Sequence, residues 1–340
     1  MNPKERLTGM TLAELKVVAS KMSLPSYAAG QMADWLYRKR ITTIDEMTNI
    51  AAAKREQLSL HYEVGCYPPQ ETAQSTDGSA KYLFALHNGE HYVETVYIPS
   101  CDRATLCVST QEGCKMNCVF CLTGKQGFAG QLTANEMLNQ IQSIPENREL
   151  TNIVFMGMGE PLDNVGELLK TLDILTSDYG YGWSPKRITV STVGLLPGLK
   201  RFLNESSCHL AVSLHSPFHE ERLSLMPVEK AYPAQSIIDL LHDYDFSHQR
   251  RLTFEYILFD GFNDTKNHAT ELARMLKGLD CRVNLLPYHA IPRMKLRGCT
   301  MQKMEQFQAW LNASGVLSTI RTSRGDDIHA ACGMLSTIKK

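Results

Sequence analysis

Three cysteines offer the most distinctive chemistry in this chain: Cys114, Cys118 and Cys121, within Gly113-Cys114-Lys115-Met116-Asn117-Cys118-Val119-Phe120-Cys121. Thiolates at this spacing can reach three corners of a cubic [4Fe-4S] cluster, a group that otherwise takes four thiolates. None of the other cysteines lies near enough in sequence to be an obvious fourth ligand, so one iron would stay open to a chelating small molecule. The competing readings are a structural zinc site and a chance grouping. Zinc takes four ligands, commonly in two closely spaced pairs, and no second pair is present. The chain has ten cysteines, which in a reducing compartment points to metal or redox chemistry more than to structural disulfides.

A second group lies after an apolar run, in Met156-Gly157-Met158-Gly159-Glu160-Pro161. Glycines after a strand let backbone come close to a ligand, and alone this is an ordinary strand-to-helix turn. Further polar residues fall where β/α proteins keep their sites, at the carboxyl ends of strands. These are Ser191, the run Ser213-Leu214-His215, and His289 after Val283–Pro287. One ligand explains them together better than separate structural roles do.

The cysteine loop, with Phe120 just before its last cysteine, resembles the motif of the radical S-adenosylmethionine (SAM) superfamily. The resemblance implies that the open iron binds the amino and carboxylate groups of SAM, and that reduction of the cluster yields a 5′-deoxyadenosyl radical. It also implies that Gly159 and Glu160 belong to a SAM-binding motif, with Glu160 pairing with the ammonium of SAM, and that Ser191, Ser213, Leu214, His215 and His289 complete the pocket. Members commonly carry asparagine where this chain has His289, and histidine keeps a hydrogen bond to offer.

Two further stretches narrow the resemblance: Val93–Val96 through Ala104–Ser109, and Arg324-Gly325-Asp326-Asp327-Ile328-His329-Ala330-Ala331-Cys332-Gly333. Over nearly its whole length the chain is similar to the RlmN/Cfr branch of radical SAM RNA methyltransferases. On that resemblance Cys332 is the methyl-carrying cysteine, Cys107 the resolving one and Glu94 the proton acceptor. Two SAM molecules are used per turnover. The substrate is an adenine in 23S rRNA, and in some members tRNA, and a flavodoxin or ferredoxin-type protein donates electrons. The Arg-Gly-Asp-Asp-Ile run and Gln126–Phe128 look more like the RlmN side, which modifies carbon-2, than the Cfr side, which modifies carbon-8. A radical SAM activase of a partner protein is the rival from another class; it would give Cys107 and Cys332 no role. The protein is expected to act as a monomer.

The elements that must position these residues are legible in the periodicity. Residues 1–65 read as a helical accessory domain that helps grip RNA: Thr11 and Glu14 form a capping box before Leu12, Leu15, Val18 and Met22, and Ala28–Lys39 is amphipathic. Residues 66–99 read as a β-hairpin linker about Asn88-Gly89. From 100 to 340 the chain alternates strands (Leu106–Thr110, Asn152–Met156, Ile188–Thr192, His209–Leu214, Leu252–Phe259, Arg282–Pro287) with helices such as Ala134–Ile144. Alternation alone allows a barrel or a doubly wound sheet; the resemblance implies an α/β fold with a partial (β/α)6 barrel. Charge is nearly balanced, 35 basic against 36 acidic residues, so RNA binding rests on local groups: Arg38-Lys39-Arg40, Lys54-Arg55, and Arg293, Lys295 and Arg297. Solvated helix faces are the alternative for each. No apolar run approaches the ~20 residues of a membrane span, and the start lacks a signal-peptide stretch. The expectation is a cytoplasmic protein.

Overall fold

The structure, a computed structural model, describes residues 4–86, 89–292 and 294–337. Asn88 of the hairpin turn and Arg293 of one basic group lie outside the described residues. No described helix is long and apolar enough to cross a membrane.

The first sixty residues fold as helices for the reasons their sequence suggests. Thr11 Oγ1 accepts from the amide of Glu14, and Glu14 returns a bond to the Thr11 amide at 2.7 Å. The helix Leu12–Lys21 follows and buries Leu15, Val18 and Ala19. The helix Ala28–Ala33 passes into a π turn, Asp34–Lys39, which stops where Arg40 takes a left-handed φ of 58°. A third helix runs Ala52–His61. A two-residue parallel pairing of Glu5–Arg6 with Tyr62–Glu63, not foreseen from the sequence, ties the two ends of this unit together.

The basic groups of this unit are occupied with internal bonds. Arg40 Nη1 donates to both the carbonyl and Oδ1 of Asn147 at 2.8 Å, and its guanidinium lies over Tyr181. Arg38 bonds the Asp178 carbonyl, while Arg148 donates to the Lys39 carbonyl. Lys54 and Arg55 cap the carbonyls of Met22 and Ile50. Much of this positive charge holds the helical unit together and to the sheet domain; Lys39, which pairs with Asp34 and sits over Trp35, stays partly exposed.

One ten-stranded sheet organises the remainder. Its strands are β1 (Glu71–Gln74), β2 (Ala80–Ala85), β3 (Tyr92–Ser100), β4 (Arg103–Cys107), β5 (Asn152–Phe155), β6 (Ile188–Thr192), β7 (His209–Ser213), β8 (Leu252–Leu258), β9 (Cys281–Pro287) and β10 (Ser318–Ile320). From β4 to β10 the strands are parallel, while β1, β2 and β3 extend the sheet antiparallel beside β4. The 66–99 segment is thus built into the sheet, and a three-residue β10 adds a seventh parallel strand to the six expected. The sheet does not close on itself: β1 and β10 are its edges.

Register determines what each face carries. Leu106, Ile153, Phe155, Val190, Leu210, Val212, Phe254, Tyr256, Val283 and Leu285 share one face, and all are buried. Directly paired residues point the same way, so the other face carries a different row. Glu94 and Val96 of β3 lead to Cys107 opposite Val96, then Val154, Thr189 and Ser191, Ala211 and Ser213, Glu255, Asn284 and Thr319. One face is hydrocarbon and the other presents a polar row.

Candidate active site

The loop after β4 carries the three cysteines. A short hairpin, Gln111–Gly113 with Phe128–Gln131, delivers the chain to Cys114. Gly113 has φ +71°, and a Cβ there would lie 1.7 Å from the Gly127 carbonyl oxygen, so only glycine fits. Cys114 donates its amide to that same carbonyl at 2.8 Å. Cys118 is buried in an apolar cluster with Phe120, Leu225, Met226, Ile257 and Phe259. Cys121 stands at the start of the helix Leu122–Gln126.

All three cysteines are free thiols. Burial, then Glu160 and Cys121, push Cys114 up to about 12; burial with its two cysteine neighbours holds Cys118 far above the usual thiol range. A bound cation reverses that balance, because it favours thiolates. Among the described residues the only set with three ligand atoms all within 4.8 Å of one another is Asp260, Asp264 and Cys299. There Lys303 already binds both carboxylates. The three thiols are not all within that distance of one another, whereas the sulfurs around one zinc ion, at about 2.3 Å from it, crowd together.

The glycine turn after β5 packs against the loop after β4. Gly159, at φ +100°, faces Gln111, whose Cβ lies 2.5 Å from where a Gly159 Cβ would sit. The close approach its glycine permits is to protein. Glu160 accepts from Thr192 Oγ1 at 2.6 Å and from the amides of Leu162 and Val193 at 3.0 and 2.9 Å. Burial raises its carboxyl to about 7 despite these bonds.

Ser191 and Ser213 lie on the polar row near the carboxyl ends of β6 and β7. Leu214 and His215 follow and are buried. His215 Nδ1 accepts the Ile257 amide at 3.0 Å, which places its ring proton on Nε2. Burial, with Arg222 nearby, lowers His215 to about 3, so it is neutral. Its ring meets Phe120 of the cysteine loop edge-on at 4.7 Å. Arg222 ties this end of the sheet: it donates to the carbonyls of Val193, Ser213 and Leu214 and pairs with Glu229.

Glu94 and Cys107 share the polar face at neighbouring strands, and both are buried. Glu94 Oε1 pairs with Lys81 at 2.8 Å, and Oε2 accepts the Ser336 amide at 2.9 Å. Cys332 reaches this region on a tail clasped at two points. Upstream, Asp77 accepts the Gly325 amide, Asp327 accepts from Ser75 and Thr76, and His289 bonds both Ser323 and Asp326. Downstream, Leu122 donates to the Gly333 carbonyl, Thr123 to that of Leu335, and Gln126 accepts from Ser336 and Thr337.

Cys332 itself keeps exposed surface. The protein packed around its sulfur raises the thiol, with Glu255 and then Cys121 contributing; Cys107 is raised by burial and then by Cys332. Cys332 thus stands between the other two sulfurs, raising the Cys107 thiol and being raised in turn by Cys121. His289 has both ring nitrogens engaged by the tail, which makes it a tail contact in this structure.

Glu255, Asn284 and Lys81 of this region, and the hold of Gln126 on the tail, escaped the sequence reading. Glu255 and Asn284 are hydrogen-bonded to each other at 2.8 Å on the polar row. Each interrupts a strand that is mostly apolar, which was the available signal. Lys81 and Gln126 gave no such signal, because their partners are distant in sequence.

The Radical SAM superfamily profile matches residues 108–273, and the Ribosomal RNA large subunit methyltransferase N-terminal domain matches residues 6–64. The chain is 65% identical to a probable dual-specificity RNA methyltransferase RlmN of Parabacteroides distasonis, across 100% of this chain and 98% of the relative. It is 39% identical to the dual-specificity RNA methyltransferase RlmN of Marinobacter nauticus, across 98% and 92% respectively. A crystal structure of a radical SAM methyltransferase from Sphaerobacter thermophilus superposes with a TM-score of 0.91 at 40% identity, covering 97% of this chain and 99% of that one. With full-length identity of this order and both domains matched, this chain belongs to the RlmN family of radical SAM RNA methyltransferases.

Proposed function

We propose that the protein methylates carbon-2 of an adenine in 23S rRNA, and in some tRNAs, through an S-methylcysteine at Cys332. The observation that carries this reading is the convergence of Glu94 and Cys107 on one sheet face with Cys332, whose following residue is bonded to the helix after the cysteine loop.

Cys114, Cys118 and Cys121 would hold a [4Fe-4S] cluster. Gly159, Glu160, Ser191, Ser213, Leu214 and His215 line the adjoining strand ends where SAM binds, with His289 beyond β9. Bound there, the cluster and SAM supply a 5′-deoxyadenosyl radical, and a second SAM supplies the methyl group. Glu160, in its ionised form, would balance the ammonium of SAM. The neutral His215 contributes an Nε2 donor and no charge.

An adenine amidine carbon is electron-poor and does not attack a methyl sulfonium, so the one-carbon unit is first carried by the Cys332 sulfur. That sulfur then holds the RNA covalently. Glu94 accepts the ring proton, and its pairing with Lys81 fixes the position of its side chain on a buried strand. The Cys107 thiolate attacks the Cys332 sulfur and a disulfide forms; the electron pair of the broken carbon–sulfur bond passes to the methylene carbon, which takes a proton to become the methyl group. Two electrons from a thiol reductant restore the dithiol. A flavodoxin or ferredoxin-type donor serves the cluster, and the enzyme works as a cytoplasmic monomer.

Reconstituted protein, SAM, reductant and unmodified large-subunit rRNA, incubated anaerobically, should yield 2-methyladenosine by nucleoside mass analysis. Cys107→Ala should accumulate an RNA–protein adduct, and Cys332→Ala should give neither adduct nor product. 8-Methyladenosine would move the chain to the Cfr chemistry. Full turnover in either cysteine variant would remove the mechanism.

A further inference from the structure

Opposite the cysteine loop, at the amino-terminal ends of the parallel strands, lies a concavity of about 300 Å³. Lys186 enters it from the turn before β6, His209 from the first position of β7, Arg250 and Arg251 from just before β8, and Arg282 from the second position of β9. Strand register forces this convergence, since Leu210, Leu252 and Cys281 stand side by side across β7, β8 and β9.

These cations are not used to hold the fold, with one exception. Arg250 donates to the carbonyls of Leu203 and Cys208 and is half-buried. Lys186, Arg251 and Arg282 are exposed, and among the described residues no side-chain partner is found for them. Asp280 is the acid within the concavity; Asp245 nearby is taken up by Ser247 and His248. His209 is driven down to about 4 by burial and then by Arg251, Lys186 and Arg250, which shows how closely the charges gather. In a chain whose charges otherwise balance, 35 against 36, such a cluster of unpaired cations in a concave surface attracts a polyanion.

We infer that this concavity is a second contact for the phosphate backbone of the RNA substrate, remote from the catalytic end. It rests on the reading of this chain as an RNA methyltransferase. β8 spans seven residues, about 23 Å at 3.3 Å per residue, so the contact lies about a strand's length from the site, at the other end of the sheet. A folded RNA with arms longer than the protein domain can touch both ends. Guanidinium and ammonium groups with no base-reading partners in between give positioning without sequence preference.

The test measures binding of 23S rRNA and tRNA transcripts to the reconstituted full chain across a salt series. Arg251→Ala/Arg282→Ala should lower the slope of log K against log salt by about 1.4 to 1.8, and affinity at 0.1 M salt on the order of 30-fold, from a slope of about 0.7 to 0.9 per phosphate contact. Lys200→Ala/Lys266→Ala, removing two exposed cations elsewhere, should leave both unchanged. Equal affinity and slope in the Arg251/Arg282 variant would overturn the inference. So would a variant that loses binding of inorganic pyrophosphate while keeping RNA, which would assign the site to a small phosphate compound. Absence of RNA binding by the unaltered protein would refute the substrate reading itself.

Discussion

Replacing Arg222 by methionine tests whether the carboxyl end of the sheet is held by one buried cation. Arg222 is 0% exposed, and its guanidinium reaches the carbonyls of Leu214, Ser213 and Val193 at 3.1, 3.1 and 2.8 Å besides pairing with Glu229. Methionine keeps most of the volume, so the loss is electrostatic. It leaves Glu229 with only its Ala234 amide and His219 bonds, and four carbonyls, that of Tyr232 included, without this donor. Breaking a buried pair by removing one partner costs about 3 to 5 kcal/mol. With an unfolding entropy near 2.1 cal/mol/K per residue, a chain of 340 residues has roughly 0.7 kcal/mol/K, so the melting temperature should fall by about 4 to 7 °C. Adding Glu229→Gln removes the stranded charge and should restore about a third to a half of the loss. Thermal melts of the cluster-free protein, followed by circular dichroism, read both. A fall below 2 °C, or no recovery in the double variant, would refute the reasoning.

Three other perturbations address separate parts of the site. Glu160 titrates near 7 in the fold against an ordinary 4.5, so the folded state holds the extra proton between those values. Its contribution is complete below about pH 4.5 and is lost as pH rises through 7. The unfolding free energy from urea titrations, wild type minus Glu160→Gln, should therefore fall between pH 4.5 and 8, by up to about 3 kcal/mol at 1.36 kcal/mol per unit; a flat difference would contradict the burial argument. Gly113→Ala must displace the Gly127 carbonyl, so reconstituted protein should bind less iron than wild type, and an unchanged iron content would show that the loop accommodates the methyl. Gln126→Ala should speed amide exchange over residues 333–337 while leaving 323–329 protected, because the two clasps use different partners. Acceleration of both together would show a single cooperative clasp.

The strand–helix alternation and the cysteine loop were legible because each depends on residues close in sequence. Five of the six expected parallel strands fall within a residue of their expected bounds; the first is displaced, Arg103–Cys107 in place of Leu106–Thr110. That difference arises because Ser109 and Thr110 spend their amides on Gln140 and the Met158 carbonyl and leave the ladder. β10, three residues of Ser-Thr-Ile, is too short to show a period of two. The basic helices could not be assigned from charge, since Arg40 and Asn147 meet across 107 positions. Nor could the roles of Lys81 and Gln126, whose partners Glu94 and Ser336 come from other elements. Cys107, Glu94 and Cys332 came from resemblance; the register that places Glu94 and Cys107 on one face became visible only with the strands paired.

The two-point clasp of the tail also imposes an order of assembly. Synthesis completes the cysteine loop some two hundred residues before Gly325, Asp327 and Ser336 emerge to bind Asp77, Ser75 and Glu94, and segments made earlier begin to fold first. Until the tail leaves the ribosome and docks, Leu122, Thr123 and Gln126 have no partner above them and the loop stands unroofed. Whatever the loop binds can reach it through an open vestibule, and Cys332 arrives only as the roof goes on.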